Sequence, residues 1–204
     1  MSEYQTDQRK QLLEKAATLF MTIGIKSVSM DDIAKQLGIS KKTIYQYVEN
    51  KNDLLSSVIH DFTHRYISEL NSKRSVASNA IEEMHLIGKH ITGHLRDISN
   101  ATMHDLQKYY RKEWEIIQDL HKKDLFKIIK ENLERGQKEG LYRLNLHSEI
   151  IAKMYVESSF IIVNENIFPL KIFTREDLIK EFLEYHIHGV VTDKGHKILK
   201  QQNT

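Results

Sequence analysis

Only one proline and eight glycines interrupt the 204 residues of the chain, so few positions force the backbone out of a helix. Apolar residues recur at three- and four-residue spacing along most of the sequence, as they do on the buried face of an amphipathic helix. A β-sandwich needs many turns rich in glycine and proline, which this chain lacks. We therefore predict an all-α protein of about nine helices.

Cysteine is absent from the chain, which excludes a disulfide framework and cysteine-bound zinc or iron–sulfur centres. The sequence contains no run of about 18 apolar residues of the kind that crosses a membrane. The polar first ten residues lack the apolar core of a secretory signal peptide. We therefore expect a cytoplasmic protein that has no cofactor and no membrane partner.

A polar stretch over residues 71–79 separates two sets of apolar stripes and is the best candidate for a domain boundary. On this basis we predict an N-terminal helix-turn-helix domain over residues 1–50 and a linking helix over 51–72. The remaining residues, 73–204, are predicted to form a larger α-helical domain.

Residues 29–51 carry the most specific pattern in the chain. Ser29 and Asp32 have the spacing of a helix capping box, with Asp in place of the usual Glu. Gly38 can adopt the left-handed backbone that ends a helix in a sharp turn, and Ser40 is a good N-cap for the next helix. We predict two short helices joined by a glycine turn.

The second of these helices carries polar and aromatic side chains that a buried core does not need. The major groove of B-DNA admits one α-helix, whose N-terminal residues reach the base edges. Lysine can donate to guanine or phosphate, glutamine can pair with adenine, tyrosine hydroxyls suit phosphate, and free N–H groups at helix N-termini favour anions. For any single lysine an ordinary solvated surface is the alternative. The predicted DNA-binding residues are Ser29, Met30, Ser40, Lys41, Lys42, Thr43, Tyr45, Gln46, Tyr47 and Lys51.

The charge distribution adds weak support. Residues 1–51 contain eight Lys/Arg and six Asp/Glu, whereas residues 52–204 contain 22 of each. The whole cationic excess therefore lies in the quarter of the chain that holds the predicted DNA-binding residues.

Residues 9–62 resemble the DNA-binding domain of TetR-type (tetracycline-repressor-like) transcriptional regulators. The matching positions are Ala16, Leu19, Phe20, Gly24, Ser29, Asp32, Ile33, Ala34, Gly38, Ser40, Thr43, Ile44, Tyr45, Tyr47, Lys51, Leu54 and Leu55. Val48 and Lys42 depart from the pattern, since the family usually has phenylalanine and often a small residue there. The resemblance implies an all-helical homodimer with a variable C-terminal domain for a small ligand. We expect a repressor that binds a pseudo-palindromic double-stranded DNA operator and responds to a small, largely apolar effector.

The last two predicted helices cover residues 149–163 and 175–191. The first is apolar nearly all round, so it must be buried on most faces, and a second copy of the chain is the simplest cover. The family resemblance likewise implies that the last two long helices pair with their copies. The predicted dimer interface comprises Ile151, Tyr155, Ser158, Ile162, Leu178, Phe182, Tyr185, His186, Gly189 and Val190.

Apolar faces and aromatic side chains between residues 80 and 170 can line a cavity between helices. Gly88 and Gly93 lower the helix propensity of one segment, and they either permit close packing or leave room for a ligand. An ordinary core position is the alternative for each such residue. The predicted ligand pocket comprises Met84, Gly88, Ile91, His94, Leu95, Met103, Tyr109, Tyr110, Trp114, Ile117, Met154 and Tyr155.

Eleven histidines raise the question of a metal site. His60/His64 and His90/His94 have i,i+4 spacing, which places both rings on one side of a helix. Neither pair has the glutamate of an HExxH motif, and no acidic residue evidently converges on either pair. We therefore predict no metal site, and a metal-responsive regulator is an alternative.

The chain has no GxSxG motif, no phosphate-cradling glycine loop and no reactive cysteine. We therefore predict that it is not an enzyme and that it has no catalytic residues. A further alternative is a helical ligand- or protein-binding module whose helix-turn-helix makes protein contacts.

Overall fold

The structure, a computed structural model, describes residues 3–96 and 98–202. In these residues the only β pairing is an isolated bridge between Tyr142 and Val191. The prediction of an all-α protein is confirmed. The helices are α1 (Glu3–Ile23), α2 (Met30–Leu37), α3 (Lys41–Ile44), α4 (Lys51–Ser75), α5 (Ala80–Arg96), α6 (Asn100–Tyr109), α7 (Arg111–Leu120), α8 (Phe126–Lys138), α9 (Ser148–Ile162), α10 (Arg175–Val190) and α11 (Asp193–Gln202).

The chain forms two compact units that are interleaved in sequence. The first consists of Met1–Tyr66 and Asp97–Gln118, and the second of Ile67–Arg96 and Asp119–Thr204. This division differs from the continuous domains expected from the sequence, because α6 and α7 group with α1–α3. Helix α4 contributes its first part to one unit and its last part to the other.

The core of the first unit is built from apolar side chains of α1 to α4, among which Phe20, Ile33, Ile44 and Leu54 are fully buried. Helix α6 is fastened to the end of α1 by hydrogen bonds between distant parts of the chain. Thr102 Oγ1 donates to the carbonyl of Phe20 at 2.5 Å. Such contacts explain why residues 98–118 belong to the N-terminal unit.

The second unit is organised around α5, which packs against α8 and α10. The carbonyl of Ala80 accepts hydrogen bonds from Asn132 Nδ2 at 2.8 Å and from the Tyr142 hydroxyl at 2.9 Å. Glu83 is only 3% exposed, but its carboxylate receives Arg74 Nε at 2.7 Å and an Arg135 N–H at 3.1 Å. This buried charge is therefore paired, as its desolvation requires.

Several boundaries differ from those expected from periodicity. Helix α4 continues to Ser75, into the stretch proposed as a boundary. Helices α7 and α8 are joined by a π-helical turn over His121–Leu125. Helix α11 follows the two helices expected to be last, and its sequence is too polar to produce an apolar stripe. Among the described helices, none combines the length and apolar character needed to span a bilayer.

Candidate DNA-binding surface

The capping box at the start of α2 forms as the sequence predicted. The backbone N–H of Asp32 donates to Ser29 Oγ at 3.1 Å. In return, the carboxylate of Asp32 accepts from the N–H of Ser29 at 2.8 Å and from its hydroxyl at 2.6 Å. These hydrogen bonds from Ser29 hold the pKa of Asp32 below its ordinary value. The reciprocal pairs fix the start of α2 and the direction in which the chain enters it.

A glycine turn separates α2 from α3, as predicted. Gly38 has φ +66° and ψ +26°, a left-handed conformation that side chains with a Cβ resist. Its N–H donates to Lys35 O at 3.2 Å, and the N–H of Ile39 reaches back to Ala34 O at 3.1 Å. The last carbonyls of α2 are thus satisfied, and the chain reverses within two residues.

Ser40 begins α3 by accepting the N–H of Thr43 on its hydroxyl at 3.1 Å. The helix itself is short, ending at Ile44. The chain then continues in a hydrogen-bonded turn, where the N–H groups of Gln46 and Tyr47 donate to Thr43 O and Ile44 O at 3.2 and 2.9 Å. Ile44 and Val48 are buried on the first unit's core, so their burial sets the orientation of the turn between them.

Most side chains expected to contact DNA lie at the surface of the first unit. Thr43, Tyr47 and Lys51 are partly exposed. Met30 differs, because its side chain is buried in the core and only its backbone at the start of α2 is left for a phosphate. The exposed members are Ser29, Ser40, Lys41, Lys42, Tyr45 and Gln46.

Lys41 does not extend freely into solvent. Its ammonium lies 2.9 Å from the carboxylate of Asp31 on α2, and this hydrogen-bonded partner raises the pKa of Lys41. Both side chains are well exposed, so water screens the pair. A DNA phosphate can therefore compete with Asp31 for the same ammonium.

Tyr47 has a partner that sequence reasoning missed. Its hydroxyl donates to Gln8 Oε1 on α1 at 2.6 Å, and its ring packs on the core. Since Gln8 lies 39 positions away, no local sequence pattern predicts this contact. Tyr47 thus positions the turn after α3, whereas Tyr45, at 45% exposure, remains available for a phosphate.

The start of α4 is the second helix terminus at this surface. Asn50 Oδ1 accepts the N–H groups of Asn52 and Asp53 at 2.9 and 3.0 Å, and Asp53 accepts the N–H of Glu49 at 2.9 Å. Partial burial lowers the pKa of Lys51, although Asp105 and Asp32 oppose the shift. An anion near Lys51 would offset this desolvation.

The residues expected to line a ligand pocket are divided between the two units. Met103, Tyr109, Tyr110, Trp114 and Ile117 belong to the first, where Tyr110, Trp114 and Ile117 pack on the N-terminal core. The remaining members belong to the second, where Gly88 faces Leu183 so closely that a Cβ would lie 2.6 Å from Leu183 Cδ1. Gly88 thus serves close packing in this structure. The other members in the second unit are Met84, Ile91, His94, Leu95, Met154 and Tyr155.

The residues expected at the dimer interface differ widely in exposure. Tyr155, His186 and Val190 are buried within the protomer, where the Tyr155 ring centroid lies 4.9 Å from Phe182 and 4.7 Å from His186. Tyr185 is 82% exposed, and Gly189 is exposed as well. The partly exposed members are Ile151, Ser158, Ile162, Leu178 and Phe182. Ile150, Met154 and Ile161 of α9 are exposed, and the expected interface did not include them.

Comparison with known proteins agrees with this geometry. Residues 12–58, which include α2, α3 and the start of α4, match the family model of the bacterial regulatory proteins of the tetR family. Two curated relatives span nearly the whole chain. The uncharacterized HTH-type transcriptional regulator YvaF of Bacillus subtilis is 23% identical over 187 residues, covering 91% of this chain and 96% of its own. The HTH-type transcriptional repressor KstR2 of Mycolicibacterium smegmatis is 22% identical over 200 residues, covering 93% and 94%.

The fold is also shared with solved structures. The fatty acid degradation regulator FadR from Bacillus halodurans superposes with a TM-score of 0.68 at 19% identity, covering 89% of this chain and 95% of its own. At this identity the likeness concerns the fold alone. It extends over both units and not only over the helix-turn-helix.

Proposed function

Since the chain is a DNA-binding transcriptional regulator of the tetR family and not an enzyme, we propose that it acts as a ligand-responsive repressor that binds a pseudo-palindromic operator as a homodimer. The observation that carries the proposal is the exposure of Lys41, Lys42, Tyr45 and Gln46 around a short helix whose apolar residues are buried. Such a helix presents its N-terminal side chains to a groove while its core side chains hold it in place.

The roles of these side chains follow from their chemistry. Gln46 can pair with base edges in the major groove, and the lysines of α3 can donate to phosphate or to guanine. Tyr45 and Lys51 both follow α3 in sequence and suit phosphate contacts that set the register. Two copies on one face of B-DNA would occupy successive major grooves about 34 Å apart.

Exposed apolar side chains on α9 support the homodimer. Ile150, Met154 and Ile161 recur on one face of this helix at 53, 61 and 46% exposure, and α9 contacts α10, where Tyr185 is 82% exposed. Exposed apolar side chains gathered on one helix face are typical of a protein interface. We propose that α9 and α10 pair with the same helices of a second copy, with Tyr155, His186 and Val190 supporting the surface from within.

We propose that the effector binds to the second unit. Met84 and Ile91 of α5 are buried and offer an apolar lining. The dimer would exist in an operator-binding conformation and in a second conformation whose two α3 helices do not match successive major grooves. An effector with higher affinity for the second conformation would release the DNA. Thermodynamic linkage then requires the operator to weaken effector binding by the same factor. That the relative KstR2 is a repressor supports repression as the direction of control.

The experiment is a salt titration of DNA binding with the purified full chain and a duplex from its own promoter region. The observed binding constant should fall steeply with salt as counterions are released, and Lys42→Ala should reduce the slope of log K against log salt by about two per dimer. Lys73→Ala, an exposed change near the end of α4, is the matched control and should leave the slope unchanged. Binding that is independent of salt would favour a protein-contact role. A steep slope that Lys42→Ala leaves unchanged would show that Lys42 does not contact phosphate.

A further inference from the structure

Two histidines of α5 lie side by side within the second unit. His90 and His94 are one helical turn apart, and their ring centroids are 4.4 Å from each other with an interplanar angle of 74°. His90 is buried at 6% exposure, whereas the His94 side chain is 31% exposed. The pair thus runs from the interior toward the surface.

Glu69 of α4 completes a cluster that the sequence did not reveal. Its carboxylate lies 3.6 Å from His94 Nε2, and one donor atom from each of the three side chains lies within 4.8 Å of the others. Our expectation that no acidic residue converges on the histidine pair is therefore wrong. The missing carboxylate comes from a different helix, 21 positions before His90.

We propose that Glu69, His90 and His94 form a binding site for a divalent transition-metal ion of the zinc type. A tetrahedral zinc ion binds imidazole nitrogen at about 2.0–2.1 Å and carboxylate oxygen at about 2.0–2.2 Å, so two of its donors lie about 3.4 Å apart. Glu69 and His94, 3.6 Å apart, are already close to that spacing. Donors that lie up to 4.8 Å apart need to approach by at most about 1.4 Å. The Glu69 side chain is 52% exposed and has the freedom to make that adjustment.

The donor set selects the class of metal. Imidazole suits Zn²⁺, Co²⁺, Ni²⁺ and Fe²⁺, whereas Mg²⁺ and Ca²⁺ prefer sites made of oxygen. Two neutral imidazoles and one carboxylate leave a divalent site with one positive charge and at least one coordination position for water or an anion. Such a site would clamp the last part of α4 to α5 inside the second unit, and it does not depend on the proposed DNA contacts.

The chain offers its own control for this site. His60 and His64 of α4 share the i,i+4 spacing, and both are exposed. Within the described residues, however, no third His, Cys or acidic donor joins them in a convergent group. If i,i+4 spacing were sufficient for metal binding, both histidine pairs would bind zinc. If the third donor is required, only the α5 pair would bind zinc tightly.

The test is isothermal titration of the tag-free, chelator-treated full chain with ZnCl₂ at pH 7.5, with cobalt absorption as a second readout. We expect one saturable site per chain, visible d–d absorption on adding Co²⁺, and a melting temperature raised by roughly 5–10 °C at a hundredfold excess of zinc over Kd. Glu69→Gln and His94→Gln should each weaken zinc binding at least about 100-fold, while His60→Ala leaves it unchanged.

Other outcomes overturn the proposal. Absence of saturable zinc or cobalt binding would leave Glu69 and His94 as an ordinary side-chain contact. Zinc binding that persists in both Glu69→Gln and His94→Gln, or that His60→Ala removes equally, would place the metal elsewhere. Because Glu69 and His94 are not buried in the core, circular dichroism of these variants should match the wild type, which separates lost binding from lost folding.

Discussion

Lys41 Nζ lies 2.9 Å from Asp31 Oδ2, so the first cation of α3 is held by a carboxylate on α2, on the other side of the Gly38 turn. The two side chains are 45% and 71% exposed, and a pair in such contact with water contributes little to folding. Its importance lies in binding, because a phosphate must displace Asp31 to reach the ammonium.

Asp31→Asn should therefore strengthen DNA binding. The change releases Lys41 and removes a negative charge near the backbone of the duplex, so we expect the operator Kd to fall by about fivefold at moderate salt. The operator Kd is measured by fluorescence anisotropy with a labelled duplex. Asp61→Asn, which breaks an exposed pair with Arg65 farther along α4, is the control and should leave the Kd unchanged. An unchanged Kd in Asp31→Asn would mean that Lys41 does not meet phosphate.

The two tyrosines after α3 should respond differently to loss of the hydroxyl. Tyr47→Phe removes the hydrogen bond to Gln8 and should lower the free energy of unfolding by about 1 kcal/mol. Tyr45→Phe should leave stability unchanged and weaken operator binding, because Tyr45 is exposed and its hydroxyl is proposed to donate to phosphate. Urea denaturation and anisotropy on both variants separate the two effects. If Tyr45→Phe lowered stability and Tyr47→Phe weakened operator binding, Tyr45 would be the positioning residue and Tyr47 the DNA-binding one.

Met154→Glu should shift the chain from dimer to monomer. Met154 is 61% exposed in the apolar stripe of α9, and a carboxylate buried there against a second copy would lose its hydration. Sedimentation velocity at micromolar concentration measures the change. Leu144→Glu is the matched control, since Leu144 is 80% exposed and lies outside α9 and α10. A variant that sediments like the wild type would remove α9 from the proposed interface.

His186 should make the protein sensitive to acid. Burial lowers its pKa to about 4, and Nε2 has no hydrogen-bond partner within the part of the chain that the structure describes. The unfolded chain, with a histidine pKa near 6.5, therefore takes up the proton first, so stability is complete above about pH 6.5 and falls as the pH drops toward 4. Between pH 7.5 and 5 the loss should be about 2 kcal/mol.

Replacing His186 by leucine removes this titration and keeps an apolar side chain beside Tyr155 and Phe182. Urea denaturation at a fixed protein concentration should show a smaller loss of stability between pH 7.5 and 5 in His186→Leu than in the wild type. Equal losses in the two proteins would show that His186 is not the group responsible.

Local patterns predicted the helix-turn-helix almost completely. The cap at Ser29, the left-handed Gly38 turn and the cap at Ser40 involve partners at most five positions apart, so the local order of residues was enough to predict them. Contacts between residues far apart in sequence could not be predicted from local patterns. Gln8 with Tyr47, Thr102 with Phe20 and Glu69 with His94 join different helices, and only the packing of those helices brings them together.

The decisive test of DNA recognition by α3 and the turn after it is selection of bound duplexes from a random DNA pool by the purified full chain. We expect enrichment of a pseudo-palindrome whose half-sites are centred about 10 base pairs apart, and Gln46→Ala should relax the preference at one position of each half-site. Recovery of no enriched sequence at low salt, or of the same half-site preferences from a chain in which Lys41, Lys42, Tyr45 and Gln46 are all alanine, would contradict it.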